Sequence, residues 1–152
     1  FSTPFFFNSV NSYRLSVISF GKTDLAKKKT IKKTTALSAK KFAVESAKLA
    51  IESNCTDVVV LDLIGKSPAT DYFLIATGTS DRPLRTVADE IIQFGRKNNF
   101  KPFGKAGLEQ GKWVLLDFVD VVVHLFNAEF RRYYDLELLW GDAEKLKIYP
   151  LE

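Results

Sequence analysis

The chain has few of the residues that build reactive centres. Its 152 residues include one cysteine, Cys55, and one histidine, His124. A lone cysteine rules out an intramolecular disulfide, and one Cys with one His cannot make a zinc cage. Single-thiol usage suits a reducing, cytosol-like compartment. No stretch approaches the roughly 18 consecutive apolar residues that would span a membrane as a helix. Methionine is absent altogether, so the natural start is expected to be missing, cleaved or differently encoded. Acid is almost absent from the first 36 residues. Asp24 stands there against Arg14, Lys22, Lys27, Lys28, Lys29, Lys32 and Lys33, a balance of +6 within a total of +4. The remaining residues therefore carry −2, and the sequence pI near 9.1 belongs to the leading segment. The part that folds is a poor candidate for coating nucleic-acid phosphates.

Residues 1–36 read as a basic, disordered extension. Phe1–Gly21 is rich in Phe, Ser and Asn with no acid, a composition that also loosely fits a transit peptide. The lysine run from Lys22 to Lys33 reads as a solvated tail, with transient contact to RNA as the alternative.

From Leu37 the pattern becomes regular. Ser38 caps a helix running to about Ser53, with Phe42, Ala43, Ala47, Ala50 and Ile51 on one face. Asp57–Leu63 and Asp71–Thr77 read as strands, the first broken by Gly65, Ser67 and Pro68 and the second ended by Gly78. Thr79 or Ser80 then caps a second helix, with Pro83 in its first turn and Leu84, Val87, Ala88, Ile91 and Phe94 inward. Lys101–Lys105 supplies an edge strand, and Lys112–Phe118 and Asp120–Phe126 two more. Asn127 caps a third helix through Phe130, Tyr134, Leu138 and Trp140, which Gly141 stops. Residues 144–152 read as a loose tail. The order is α-β-β-α-β-β-β-α. It predicts one α/β (α+β) domain over residues 37–143, a small mixed sheet flanked by helices.

The chemistry-bearing residues are sparse. A Cys55–His124 dyad is arithmetically possible. Gly78-Thr79-Ser80 opens a helix after a strand, where phosphate often binds. It lacks P-loop spacing, however, and Asp81 follows at once. Paired acids could hold magnesium for nucleotidyl transfer, and Asp62, Asp117 and Asp120 are the candidates. Such pairs usually lie two apart on one strand, whereas Asp117 and Asp120 lie three apart.

If Phe118 and Val119 make the turn of the last hairpin, Asp117 faces Asp120, Leu115 faces Val122 and Trp113 faces His124. Alternation then puts Val114, Leu116, Val121, Val123 and Leu125 on an apolar core face. Trp113, Leu115, Asp117, Asp120, Val122 and His124 share the other. Two readings of that second face remain open. Helices cover it, with Trp113 in a core and His124 a satisfied buried histidine, or it is a docking surface whose tryptophan and acids receive a basic partner.

Several segments resemble the ribosomal silencing factor (Iojap) family. They are Asp71-Tyr72-Phe73-Leu74-Ile75-Ala76-Thr77-Gly78-Thr79-Ser80 with Ala88-Asp89-Glu90, then Trp113-Val114-Leu115-Leu116-Asp117, Asp120-Val121-Val122-Val123-His124-Leu125-Phe126 and Tyr134-Asp135-Leu136-Glu137-Leu138-Leu139-Trp140. The resemblance implies a nucleotidyltransferase-like topology without its catalytic site, and a protein that is not an enzyme and needs no cofactor. It implies a cytoplasmic translation repressor that binds the large ribosomal subunit at ribosomal protein L-fourteen, hinders joining of the small subunit when nutrients are limiting, and forms a homodimer when free. It also implies partner contact through Trp113, with Leu115, Asp117 and Asp120 following by adjacency. Trp113→Ala is then expected to weaken large-subunit binding by about 2 kcal/mol or more while the fold stays intact. The family usually has glycine where Val119 stands. A β-branched residue resists positive φ, so a tight primed turn is not expected here.

Overall fold

Helices and strands follow the hydrophobic periods closely where both ends of an element carry a stop signal. The computed structural model describes residues 37–80 and 82–149. The expectations for residues 1–36, both the transit-like segment and the lysine run, lie outside the described residues.

Helix α1, Ala39–Glu52, starts where the Ser38 side chain accepts the Lys41 amide at 3.2 Å. Helix α2 is Leu84–Lys97. Both end in the same way. Asn54 and Asn99 each adopt φ of +65°, and the next amides, of Cys55 and Phe100, return to the carbonyls of Ala50 and Gly95 at 2.9 and 2.7 Å. This is the Schellman closure, with asparagine in the left-handed position that glycine usually takes. Neither Thr79 nor Ser80 caps α2. Pro83 sits at its N-cap with no side-chain cap.

The strands are β1 Thr56–Asp62, β2 Tyr72–Thr77, β3 Gly104–Ala106, β4 Trp113–Asp117, β5 Val121–Phe126 and β6 Glu144–Lys145. They form one mixed sheet in the order β3-β4-β5-β2-β1-β6. Only β2 and β5 run parallel, aligned from Tyr72↔Val121 to Thr77↔Phe126. The mixed sheet flanked by helices is the architecture expected.

The described part of the expected loose tail, residues 144–149, is instead tied down. Glu144 and Lys145 pair with Asp62 and Leu61, the Leu146 amide donates to the Val60 carbonyl at 2.8 Å, and Leu146 and Ile148 pack on the core. A charged sequence reads as tail when viewed alone, yet the free edge of β1 supplies its hydrogen bonds.

The central strands are apolar on both sides because both sides are covered. One face gathers Tyr72, Leu74, Ala76, Val114, Leu116, Val121, Val123 and Leu125 beneath α1 and α2. The other gathers Phe73, Ile75, Trp113, Leu115, Val122 and Phe126 with Phe130 and Leu136. Those last two belong to helices α3, Ala128–Tyr134, and α4, Leu136–Leu139. The expected single helix through Trp140 is therefore two pieces. Asp135 breaks it with φ of +38°, and its amide still bonds the Arg131 carbonyl at 3.1 Å.

The hairpin register also differs from the expectation, by two residues. Trp113 faces Phe126, Leu115 faces His124 and Asp117 faces Val122. A shift of two preserves both faces, so the division into an apolar face and a Trp face stands. The turn is tight after all. The Phe118 amide bonds the Val121 carbonyl at 2.8 Å, and the Asp120 amide returns to the Phe118 carbonyl at 3.0 Å. Val119 therefore takes φ of +75° despite its branched side chain. Asp117 Oδ1 helps to hold it there by accepting the Val119 amide at 2.7 Å. Phe118, buried edge-on against Phe42 with ring centroids 5.0 Å apart, anchors the same turn in the core.

Candidate docking site

The second face of β4 and β5 carries the residues expected to meet a partner, and the structure encloses them. Trp113 and Leu115 are each 1% exposed, Asp117 is 1% and Asp120 is 6%. Covering helices win over open display. In this conformation none of the four side chains offers a contact surface, and Trp113 is a core residue whose removal is expected to destabilise the fold.

Trp113 is the hub of an aromatic layer. It stacks on Phe126 with ring centroids 5.0 Å apart and leans on Tyr134 at 4.8 Å. Its indole N–H donates to His124 Nδ1 at 3.1 Å. That donation requires Nδ1 to be bare, so the neutral ring carries its proton on Nε2. Phe73 meets His124 edge to face at 4.6 Å and Trp140 at 6.0 Å. Beta alternation thus puts Trp113 and His124 together on one face even though they are diagonal rather than opposite partners.

The Asp117 carboxylate holds the Val119 turn, and the main-chain carbonyl of Asp120 accepts the amides of Asp71 and Tyr72, each at 3.0 Å, joining the hairpin tip to the start of β2. Asp62 Oδ1 accepts the Ile64 amide at 3.0 Å. Asp62 lies on β1 and Asp117 on β4, with β2 and β5 between them. Among the described residues no group of three His, Cys, Asp or Glu could hold a metal ion. Cys55 packs in the cluster beneath α1 and α2, whereas the rings around His124 belong to the opposite face. Burial first, and Glu90 second, push the Cys55 thiol above its ordinary pKa of 9.0, the wrong direction for a nucleophile. Gly78, Thr79, Ser80 and Pro83 border a cavity of about 380 Å³ at the ends of β2 and β5.

The surface over the aromatic layer is what α3 and α4 present. Arg131 fixes the two pieces. Its side chain is 11% exposed, Nε and the guanidinium reach Glu137 Oε1 at 2.8 and 2.7 Å, and Nη1 donates to Thr77 Oγ1 at 3.0 Å. Phe130 and Leu136 point inward. Tyr133, Leu138 and Leu139 point outward, exposed by 67, 77 and 69%. Leu138 had been expected on the core side of one continuous helix, and the break at Asp135 resets the register. A signal was available, because Leu136, Leu138, Leu139 and Trp140 fall within five residues and cannot share one helical face. Lys66 pairs with Asp142 at 2.9 Å, which lowers the Asp142 pKa and draws the β1–β2 loop alongside this surface.

Two helix-covered faces of one mixed sheet define a small α/β domain. Comparison with known proteins assigns the family. Residues 36–152 match the family described as ribosomal silencing factor during starvation. The chain is 41% identical over 92 residues to the ribosomal silencing factor of Bacillus subtilis, covering 60% of this chain and 78% of that one. It is 34% identical over 107 residues to the chloroplastic Iojap protein of Zea mays, covering 70% and 46%. A crystal structure of a Chromobacterium violaceum protein superposes with a TM-score of 0.66 at 27% identity, covering 76% of this chain and 95% of the other. The chain belongs to the ribosomal silencing factor family. Members carry a ribosome-associated, regulatory role in translation, and among the described residues no helix is long and apolar enough to cross a membrane.

Proposed function

We propose that this chain is a translation repressor that binds the large ribosomal subunit at ribosomal protein L-fourteen. It would stand where the small subunit approaches, so that joining is hindered and translation falls when nutrients are limiting. Family membership over residues 36–152 carries this reading. Obstruction needs a stable surface and no reacting groups, and no enzymatic step or cofactor is invoked. Trp113, Leu115, Asp117 and Asp120 act from beneath in this reading, as the platform that holds the docking layer. The free chain self-associates as a homodimer and works in the cytoplasm, and the lysine-rich run makes a weak contact with ribosomal RNA.

The test is sedimentation of the full chain with purified ribosomal subunits. The chain should co-migrate with large subunits, and adding it before small subunits should reduce the fraction of joined particles in proportion to occupancy. A chain that stays at the top of the gradient, or that binds without reducing joining, overturns the reading.

A further inference from the structure

We infer that residues 128–142, which contain α3 and α4, form a strap that opens from the sheet as one unit while the rest of the domain stays folded. Arg131 is its latch, and opening uncovers Trp113.

The strap is pinned at its ends and lightly held between them. At one end the Asn127 amide donates to the Lys112 carbonyl at 2.9 Å, and at the other Glu144 and Lys145 pair with β1. Gly141 leaves slack near that second end, since a Cβ there would meet nothing nearer than 3.5 Å. Helices of seven and four residues, with the left-handed Asp135 between them, have little stability of their own. Tyr133, Leu138 and Leu139 lie in solvent and add no packing to hold the strap down. The Trp140 indole N–H is enclosed without an acceptor among the described residues, a cost of the closed state that opening relieves.

One side chain both joins the two helices and fastens them. Arg131 Nε and Nη2 reach Glu137 Oε1 at 2.8 and 2.7 Å, which bridges the break at Asp135 and ties α3 to α4. Its Nη1 donates to Thr77 Oγ1 at 3.0 Å, at the end of β2. The side chain is 11% exposed, so these charge-assisted bonds are shielded from water. The tie from Lys66 to Asp142 is 35% and 75% exposed and holds little. Under the strap lie Phe73, Ile75, Trp113 and Phe126. Lifting it uncovers them but breaks neither the hydrogen bonds between strands nor the core beneath α1 and α2. A unit that can leave without disturbing the main core opens at a lower free energy than the whole domain unfolds.

Amide hydrogen exchange of the full chain under native conditions tests this with two variants that act on different transitions. Arg131→Met keeps the length of the side chain and removes the guanidinium. It destabilises the closed state, so α3 and α4 amides should exchange at least about tenfold faster, the effect of losing hydrogen bonds to a charged group. Gly95→Ala strains the core beneath α1 and α2, which stays intact when the strap is open. It should accelerate the amides of α1 and of the β2–β5 pairing and leave those of α3 and α4 within about twofold of wild type. Oxidative labelling of Trp113, mapped by mass spectrometry, should follow the α3 and α4 amides in both variants. Thr77→Val removes the acceptor on the sheet at nearly constant size, and it replaces Arg131→Met in the comparison if that variant does not fold. Acceleration of α3 and α4 by Gly95→Ala to the same extent as α1 overturns the strap, because the segment then opens only with the whole domain. Unchanged α3 and α4 exchange in Arg131→Met overturns the latch. Labelling of Trp113 that accelerates only in Gly95→Ala overturns the claim that the opening uncovers it.

Discussion

The two faces of the sheet are built by different means. Beneath α1 and α2 the contacts are shape and area. Phe42 stacks on Phe100 and Phe94 with ring centroids 4.2 and 5.7 Å apart and meets Phe118 edge-on, between helices of 14 residues each. Beneath α3 and α4 the contacts are directional. An indole–imidazole bond lies inside the aromatic layer, an arginine lies almost inside it, and the helices are seven and four residues long. Long helices stabilise themselves in part, and short ones depend on what they dock against. The first face therefore makes the fold, and the second positions a surface. Three of the large apolar residues left outside belong to the second.

Trp113→Ala is the hardest blow to that division. Truncating a fully buried tryptophan costs about 3–5 kcal/mol through lost burial and the cavity left behind. The change also removes the donor to His124 Nδ1. Urea unfolding should record the loss, and any loss of ribosome binding must be measured at a temperature where the variant is still folded. A cost below about 1 kcal/mol would show that the second face is not a true core and would reopen direct contact by Trp113.

Adding one methyl group to each face sharpens the contrast. A Cβ on Gly95 would lie 2.6 Å from the Phe100 carbonyl oxygen and 2.9 Å from Phe118 Cε1. The stacked phenylalanines leave nowhere to move, so Gly95→Ala should cost about 1–3 kcal/mol by overpacking. A Cβ on Gly141, just past α4, would meet nothing nearer than the Leu138 carbonyl oxygen at 3.5 Å. Gly141→Ala should shift stability by no more than about 0.5 kcal/mol. Chemical denaturation of the pair checks both values, and equal effects would mean that the first face is no more tightly packed than the periphery of the second.

What was legible in the sequence follows the same line. Period set α1, α2 and the alternation of β4 and β5, and Ser38 marked the start of α1, because those signals are local. The start of α2 was misplaced, since Pro83 and not Thr79 or Ser80 stands at its N-cap, and the left-handed Asn54 and Asn99 that close the two helices were not read as stops. The register of the last hairpin was not legible, because Val119 opposes its own turn and is held at φ of +75° by Asp117 and by the burial of Phe118. Neither was β6, whose pairing depends on an edge some 80 residues earlier in the chain. For the site, the residue pattern brought Trp113 and His124 to one face but could not say what lay over it. Exposure of Leu138 depended on the left-handed Asp135, and aspartate tolerates that conformation without advertising it.

Each face also holds a tyrosine whose phenol titrates late, and these give the gentlest comparison. Burial first, then the charges of Asp62 and Asp71, raise the Tyr72 pKa above 10.0. Burial first, then Tyr133, raise that of Tyr134. A raised pKa means that the folded state keeps its proton longer than the unfolded chain. The resulting stability is fully present below about pH 10 and is lost as pH climbs through the folded values. Denaturation midpoints should therefore fall above about pH 10, partly through these two groups. Tyr72→Phe and Tyr134→Phe should each flatten that alkaline limb. Absorbance titration of the phenolates should show a late-ionising step lost in each variant. If only one variant loses such a step, the other tyrosine is not held protonated by its face, and the comparison of the two faces must be redrawn at that residue.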